Sequence, residues 1–326
     1  MSSIAEIKKP IEKELDKFNE EFDKCLTSEN EILSVVHRHI KNNKGKQIRP
    51  TLTLLASKLC KQNVENESIS VALSLELLHT ASLVHDDVVD ESKLRRGQSS
   101  VNAIWDNQIA VLTGDYLLSE SLNMSCKTNN VNIVNNICTL GKKLSEGELL
   151  QISNVQTISL SEDRYIQVIK NKTAMLFSVC TLNGAIAAGA TYQQAEQLKK
   201  YGEMYGIAFQ IRDDIFDYIS SADKIGKPVG NDIREGKITL PLLYAINNSN
   251  GAEKDVVMQI LRDKDFSADN VEEIVNFAIR KGGIEYAEQR IDYYSTEAIK
   301  CLEMFDDNEC KKSLIDMVEV SRKRTS

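Results

Sequence analysis

Six aspartates stand in two groups that share one pattern: two adjacent residues, then a third three positions later. Each group follows an apolar stretch that reads as a helix, so its first and last members lie one turn apart on one face. Such carboxylates repel one another by roughly 4 kcal/mol per pair at 4 Å and an effective dielectric of 20. A bound divalent cation would offset this cost, because Mg²⁺ prefers carboxylate oxygens. The groups are Asp86, Asp87, Asp90 and Asp213, Asp214, Asp217.

Cationic residues occur close to these groups and between them. Lysine and arginine beside magnesium-binding carboxylates indicate a polyanionic substrate, since metal and cations together neutralise phosphate oxygens. The sequence contains no GxxxxGK[ST] loop, which argues against a nucleotide as that substrate. The residues are Lys46 and Arg49 in KGKQIRP, Arg95 and Arg96 after the first group, Lys172 with Thr173, and Lys227 and Lys237 around a glycine-rich loop.

The elements that carry these residues read as helices. The only prolines are Pro10, Pro50, Pro228 and Pro241, so none interrupts the long middle of the chain. Apolar residues recur there at intervals of three and four, and few windows alternate as a strand does. We therefore predict an all-α bundle of ten or more helices around a central space, as one domain over residues 1–326.

Composition excludes several classes of protein. A net charge of −8 argues against a nucleic-acid-binding protein, which should be basic. Seven widely spaced cysteines without a CxxC pair favour free thiols in a reducing compartment. The N-terminus has no apolar signal region, and we predict no transmembrane segment and a cytoplasmic location.

The two aspartate groups resemble a known pair of motifs. HDDVVD and FQIRDDIFD, with GKQIRP before them, KT between them and a GK-rich loop after them, are similar to the trans-isoprenyl diphosphate synthases, or polyprenyl synthetases. The similarity is to the medium- and long-chain type, such as the octaprenyl diphosphate synthases. It implies an isoprenoid-synthase-like helical bundle around a substrate cavity, a homodimer, and condensation of isopentenyl diphosphate head-to-tail with an allylic diphosphate, using three Mg²⁺ ions.

The resemblance also assigns roles position by position. It makes Asp86, Asp90 and Asp213 the main magnesium ligands, with Asp87, Asp214 and Asp217 in supporting or water-mediated positions. The allylic diphosphate is then bound by Arg95, Lys172 and Lys227, and isopentenyl diphosphate by Lys46, Arg49, His79 and Arg96. Oxygens of Thr173 and Gln210 face the developing allylic cation, and Lys237 completes the phosphate shell.

Product length depends on the residues before the first aspartate group. Ser82 and Leu78 lie one and two turns before Asp86 on the same helix face. Short-chain family members carry large aromatic residues four or five positions before the first aspartate, whereas this chain has Ser82 and Ala81 there. We therefore expect an open tunnel and a product between hexaprenyl and decaprenyl diphosphate. The predicted floor of the tunnel is formed by Ile133, Ile137 and Leu140.

Other functions stay open at this point. A shorter-chain synthase, giving a farnesyl or geranylgeranyl product, differs only in the tunnel. A class I terpene cyclase shares the first motif, although its second motif usually has an Asn/Asp–Ser/Thr–Glu pattern. A non-catalytic subunit of a two-component synthase usually lacks one motif, and a lipid-binding helical scaffold would need neither. We also expect His85 to be a structural hydrogen-bond partner and residues 322–324 to form a solvated tail.

Overall fold

The structure, a computed structural model, describes residues 3–43, 45–62, 64, 66–219 and 230–324. Within these ranges the secondary structure is helical apart from one two-stranded hairpin, so the predicted all-α bundle of ten or more helices is confirmed. The helices are α1 (Ile4–Lys8), α2 (Glu12–Cys25), α3 (Glu31–Asn42), α4 (Ile48–Cys60), α5 (Asn66–Val89), α6 (Val101–Ile104), α7 (Asn107–Cys126), α8 (Val131–Thr157), α9 (Glu162–Ile169), α10 (Met175–Ala187), α11 (Tyr192–Ile219), α12 (Asn231–Arg234), α13 (Leu240–Asn247), α14 (Ala252–Asp263), α15 (Ala268–Arg280), α16 (Gly283–Lys300) and α17 (Glu309–Arg322).

Three shorter elements complete the described structure. A 3₁₀ turn at Lys9–Ile11 joins α1 to α2, and a π-helical segment at Lys170–Ala174 joins α9 to α10. Strands β1 (Leu94–Arg95) and β2 (Gln98–Ser99) form the antiparallel hairpin after α5. The π-helical segment carries the KT motif, and an extra residue per turn is frequent at functional sites.

The helices group into two compact units. The first unit comprises Met1–Gly141, Phe177–Lys199 and Leu302–Asp316, and the second comprises Lys142–Leu176, Lys200–Cys301 and Met317–Ser326. Each unit is therefore assembled from three separated stretches of sequence. The organisation of the chain as one domain over residues 1–326 stays a prediction.

The first unit is built around α5, which packs along α7 and against α4. Helix α5 is buried on most of its faces, as expected for an apolar helix at the centre of a core. Its buried hydroxyls are satisfied across the helix pair, because Ser74 Oγ donates to the Ser121 carbonyl at 2.8 Å and Ser121 Oγ donates to the Ser74 carbonyl at 2.7 Å. These contacts tie the N-terminal half of α5 to α7.

Helix α5 is also long and apolar enough to cross a membrane by length and composition alone. Of its most apolar window, 67% is buried inside the structure. That burial is expected of the core helix of a globular protein, and it makes the helix weak support for a membrane span.

The second unit has two apolar clusters that meet on α13. One cluster packs α13 against α14 and α15, and its buried members include Leu242, Val257 and Phe277. The other packs α9, the π-helical segment, α11 and α16 together, with Ile211 and Ile291 fully or almost fully buried. The second cluster therefore positions the second aspartate group on α11 relative to the KT motif.

Within the first unit, α10 approaches α4 closely at Gly184. A Cβ atom added to this buried glycine would lie 2.4 Å from the Thr53 carbonyl oxygen, and backbone atoms on the facing helix cannot rotate away. Gly141 in α8 offers a contrast, because no atom lies within 4 Å of a Cβ built there. The two positions separate the effect of helix packing from that of helix propensity.

We expect Gly184→Ala to destabilise the protein by about 1–3 kcal/mol, because the new methyl group forces α4 and α10 apart. The matched variant Gly141→Ala should leave stability unchanged or raise it by up to about 1 kcal/mol, since alanine is the better helix former. Urea unfolding followed by far-UV circular dichroism measures both. A Gly184→Ala midpoint at or above that of Gly141→Ala would contradict the close approach.

Candidate active site

The first aspartate group lies at the C-terminal end of α5. Asp86 and Asp87 belong to its last turns, and the Asp90 N–H donates to the Asp86 carbonyl at 2.8 Å, which continues the helical turn beyond Val89. Asp87 is only 4% exposed, whereas Asp86 is half-buried and Asp90 is exposed. The two residues predicted as main metal ligands are thus the accessible ones.

Asp87 is held by Arg95 of the hairpin. Arg95 Nε donates to Asp87 Oδ1 at 2.9 Å, and Arg95 Nη2 contacts the same oxygen. Asn102 Nδ2 donates to the Asp87 backbone carbonyl at 3.1 Å. Charge-assisted hydrogen bonds to a buried carboxylate are strong, so this pair fixes the hairpin against the end of α5.

The hairpin turn positions Arg96. The turn residues Arg96 and Gly97 have φ angles of 53° and 76°, as a two-residue type I′ turn requires. Arg96 Nη1 donates to the Asn43 carbonyl at 2.8 Å. A Cβ on Gly45 would lie 2.6 Å from the Arg96 guanidinium, so the glycine of KGKQIRP makes room for this arginine. The structure thereby brings the GKQIRP loop and the hairpin together.

A pocket that is open to solvent lies in the first unit between these parts. Its lining includes Gly45 and Gln47 of the loop, Glu76 on α5, and Arg95 and Arg96 of the hairpin. Burial raises the pKa of Glu76, although the nearby cations Arg49, Arg96 and Lys8 oppose that shift. The pocket therefore places the cations Arg95 and Arg96 beside the acidic side chains Glu76 and Asp87.

The remaining cations predicted for isopentenyl diphosphate lie in the same unit. Arg49 stacks over the Phe177 ring at 5.5 Å, and the Lys46 carbonyl accepts from Lys8 Nζ at 2.9 Å. His79 is 7% exposed. Burial and the adjacent Arg49, Arg96 and Arg95 hold the pKa of His79 well below its usual range, so the imidazole is neutral.

His85 makes the structural contact that we expected. Its Nε2 lies 3.1 Å from the Val111 carbonyl and 3.5 Å from Asp115 Oδ1. A Cβ on Gly114 would overlap the imidazole at 2.1 Å, so the glycine of α7 accommodates the ring. His85 therefore ties α5 to α7.

In the second unit, Asp214 anchors a buried hydrogen-bonded chain. Gln210 Nε2 donates to Asp214 Oδ1 at 2.8 Å, and Tyr165 Oη donates to Asp214 Oδ2 at 2.7 Å. Thr173 Oγ1 donates to Gln210 Oε1 at 2.6 Å. The KT motif on the π-helical segment is thus connected directly to the second aspartate group on α11, and Tyr165 is a member that the sequence did not reveal.

Asp217 accepts two backbone hydrogen bonds from the start of α12. The Asn231 N–H lies 2.9 Å from Asp217 Oδ1 and the Asp232 N–H lies 3.0 Å from Oδ2. Burial raises the pKa of Asp217 and these hydrogen bonds lower it. The carboxylate therefore holds the start of α12.

Asp213 is paired with the C-terminus, so our expectation of a solvated tail is wrong. Arg324 Nη1 donates to Asp213 Oδ1 at 3.0 Å, and its guanidinium lies 5.1 Å from the centre of the Phe216 ring. Arg212 Nη2 donates to the Arg322 carbonyl at 2.6 Å. These contacts hold the end of the chain along α11.

Lys172 has the partner that a lysine among apolar residues needs. Its Nζ lies 2.6 Å from Glu148 Oε2 and 3.4 Å from Gln151 Oε1, both on α8. Lys237 Nζ contacts Glu235. Lys227, the third cation predicted on this side, lies outside the described residues.

The residues predicted to control product length are apolar and buried in the first unit, except for the partly buried Ser82. Leu78 and Ala81 are 2% and 3% exposed, and the Ser82 hydroxyl donates to the His79 carbonyl at 2.9 Å. Buried Asn183 accepts from Asn136 Nδ2 at 2.7 Å, which fixes the proposed floor. Three floor residues are at most 1% exposed: Ile133, Ile137 and Leu140.

No cluster of three or more histidine, cysteine, aspartate or glutamate side chains suited to a metal occurs in the part of the chain that the structure describes. Mg²⁺ in phosphate-binding sites needs fewer protein ligands, because it retains waters and takes one or two carboxylates plus substrate phosphates. Asp86 and Asp90, both accessible at the end of one helix, fit that requirement.

Comparison with known proteins gives an independent result. The polyprenyl synthetase family model matches residues 30–278. The chain is 33% identical to the all-trans-nonaprenyl-diphosphate synthase (geranyl-diphosphate specific) of Rhodobacter capsulatus, over 97% of this chain and 96% of that protein.

Solved structures with the same fold agree. A decaprenyl diphosphate synthase from Rhodobacter capsulatus superposes with a TM-score of 0.93 at 32% identity, over 99% of this chain and 100% of that one. A geranylgeranyl pyrophosphate synthase from Bacteroides thetaiotaomicron gives 0.86 at 39% identity, over 99% and 100%. Because the family model spans well over half of the chain and these relatives align with nearly all of it, the chain belongs to the polyprenyl synthetase family, a family of prenyltransferases, as its motifs predicted.

Proposed function

We propose that the protein condenses isopentenyl diphosphate head-to-tail with an allylic diphosphate, such as farnesyl diphosphate, to give a medium- or long-chain all-trans polyprenyl diphosphate. The observation that carries this proposal is the pocket of the first unit, where Asp87, Arg95 and Arg96 lie together beside the end of α5. Residues proposed to bind metal and phosphate are thus adjacent. That combination suits a diphosphate ester and no neutral lipid.

Magnesium is the proposed cofactor, with three ions when both substrates are bound. Asp86, Asp90, Asp213 and Asp217 would hold it, assisted by Asp87 and Asp214. When bound, Mg²⁺ neutralises the diphosphate and makes it a better leaving group. Asp90 is exposed for such a role, whereas Asp214 is 6% exposed and is engaged with Gln210 and Tyr165, which supports an orienting role.

The cationic residues bind the two diphosphates. Each described cation already has a neighbour of defined geometry, so it is positioned before substrate arrives. We assign the cations Arg95, Lys172 and Lys227 to the allylic diphosphate, with Lys237 completing the phosphate shell. Isopentenyl diphosphate is assigned to the cations Lys46, Arg49 and Arg96 together with the neutral His79.

The allylic cation would be stabilised by Thr173 and Gln210. Since the Thr173 proton is donated to Gln210 Oε1, the lone pairs of Thr173 Oγ1 remain for a cation. Ala174 and Ile207 belong to the apolar cluster around these residues, and an apolar environment excludes the water that would quench a cation. The released diphosphate accepts the proton that restores the alkene.

Two product classes have specific support. The nonaprenyl and decaprenyl synthases among the relatives, and the small Ala81 and Ser82 before the first motif, favour a long product. The geranylgeranyl synthase at 39% identity favours a shorter one. We propose the long product, because Ala81 and Ser82 are both small.

The other functions lose support from family membership. A class I terpene cyclase needs no isopentenyl site, and a lipid-binding scaffold explains neither aspartate motif. Both motifs are complete, which also argues against a non-catalytic subunit. We further propose a homodimer located in the cytoplasm.

The first prediction tests the reaction itself. Purified protein with Mg²⁺, isopentenyl diphosphate and geranyl, farnesyl or geranylgeranyl diphosphate should yield polyprenyl diphosphates, identified by mass. Asp86→Ala should lower the rate by roughly 100- to 1,000-fold or more, because a group that stabilises the departing charge is lost. The exposed Asp306 provides a matched control, and Asp306→Ala should be fully active. Absence of product with every primer, or full activity of Asp86→Ala, would contradict the proposal.

A second prediction concerns two lysines of the π-helical segment. Lys172→Ala should raise KM for the allylic diphosphate by roughly 10- to 100-fold, the value of a charge-assisted hydrogen bond to phosphate. Lys170 pairs with Glu203 at 2.8 Å and has no assigned substrate contact, so Lys170→Ala should leave KM unchanged. Steady-state kinetics with varied primer distinguishes them. Equal KM values for the two variants would remove Lys172 from the site.

A third prediction concerns product length. Ser82→Phe should shorten the main product, because an aromatic ring one turn before Asp86 blocks the tunnel. Ser82→Ala keeps a small side chain and should leave the product unchanged. Chromatography of the dephosphorylated prenyl alcohols measures chain length. An unchanged distribution for Ser82→Phe would place the tunnel elsewhere.

A further inference from the structure

We propose that Tyr165 is a positioning residue for prenyl transfer, acting through Asp214 and Gln210 on the hydroxyl of Thr173. Neither the motifs nor the family resemblance assigned it a role. The proposal rests on the proposed function, since Thr173 matters only if the allylic cation forms beside it. Its basis is the hydrogen-bonded chain Tyr165–Asp214–Gln210–Thr173, with donor–acceptor distances of 2.7, 2.8 and 2.6 Å.

The donor and acceptor at each step of this hydrogen-bonded chain determine how the Gln210 amide and the Thr173 hydroxyl are oriented. The Gln210 amide turns its nitrogen towards Asp214, because Nε2 donates to Asp214 Oδ1. Its oxygen then faces Thr173, and the Thr173 hydroxyl must donate to it. Tyr165 fixes the other Asp214 oxygen. Removing the Tyr165 hydroxyl would therefore release the carboxylate that sets the Gln210 amide.

Burial makes these orientations rigid. Tyr165 is 8% exposed and Asp214 is 6% exposed. The Tyr165 ring packs among buried residues that include Ile169, Ala174 and Ile211. Water is therefore a poor substitute for the phenol, and Asp214 would lose one of its two side-chain donors.

Tyr165 also controls the segment that carries the KT motif. It lies on α9, and Thr173 lies on the π-helical segment that continues α9. Tyr165 and Thr173 are bonded to successive turns of α11, through Asp214 and Gln210. The segment is thus anchored at both ends, with Lys172 between the anchors.

The test uses substitutions that remove one oxygen and keep the ring. Tyr165→Phe is compared with Tyr218→Phe, because Tyr218 is also buried, lies on α11 and bonds through its hydroxyl to Thr239 at 2.9 Å, outside the chain. We expect Tyr165→Phe to lower kcat roughly 10- to 100-fold, with KM for both diphosphates within about twofold. Tyr218→Phe should change kcat less than about twofold. Thermal unfolding of both variants measures what a lost buried hydroxyl does to stability.

A double-variant cycle separates positioning from general structural support. Thr173→Val removes the last hydroxyl of the chain while keeping its shape. If Tyr165 acts through Thr173, Tyr165→Phe should lower kcat little further in the Thr173→Val background. Rate losses that multiply would overturn the proposal, as would an unchanged kcat for Tyr165→Phe or an equal loss for Tyr218→Phe.

The outcome also distinguishes the two levels of inference. Wild-type protein without prenyl transfer activity would overturn both the proposed function and the role of Tyr165. Active wild-type protein with an unaffected Tyr165→Phe variant would overturn only the latter.

Discussion

Burial of the Asp214 carboxylate is the constraint on which the second unit depends. A carboxylate removed from water without partners costs several kcal/mol, so donors must reach both of its oxygens. Burial and the neighbouring Asp232 and Asp213 raise the pKa of Asp214 to about 8, although its hydrogen bonds from Gln210 and Tyr165 oppose that rise. Helix α9 must therefore bring a tyrosine to α11, and the π-helical segment that follows is held beside Gln210. The contacts that satisfy buried Asp214 are therefore the same contacts that align Gln210 and Thr173.

The first unit also contains a buried aspartate, and there the donor is the Arg95 guanidinium and not a tyrosine hydroxyl. Asp87 is the buried member of its group, and Arg95 reaches it from a hairpin whose two-residue turn requires Arg96 to adopt a positive φ. A non-glycine residue in that region costs roughly 1–2 kcal/mol. The hydrogen bond from Arg96 to the Asn43 carbonyl offsets part of this cost. One hairpin thus orders the loop before α4, both arginines and the aspartate group.

The features that the sequence predicted are those that depend on residues close together in the chain. Apolar spacing predicted the helices, and the aspartate and GKQIRP motifs predicted the family, because both signals are carried by residues close together in the chain. The partners of these residues are distant: Tyr165 lies 49 positions from Asp214, and Arg324 lies 111 positions from Asp213. Tertiary packing alone brings them together. The sequence predicted a solvated basic tail because the residues that Arg324 contacts on α11 are more than 100 positions away, where local sequence patterns cannot indicate a contact.

Substrate binding to such a site is an exchange of partners. Lys172 and Arg95 are already neutralised by Glu148 and Asp87, so a phosphate gains only the difference between two ion pairs, which is small for one charge. A ligand that brings several negative charges together with Mg²⁺ changes that balance, because the metal takes carboxylates while the phosphates take the cations. Under the proposed function, each of these cations would therefore favour a metal–diphosphate complex over a single anion. Asp213 would exchange partners in the same way, because a metal ion binding its carboxylate would have to displace the Arg324 guanidinium.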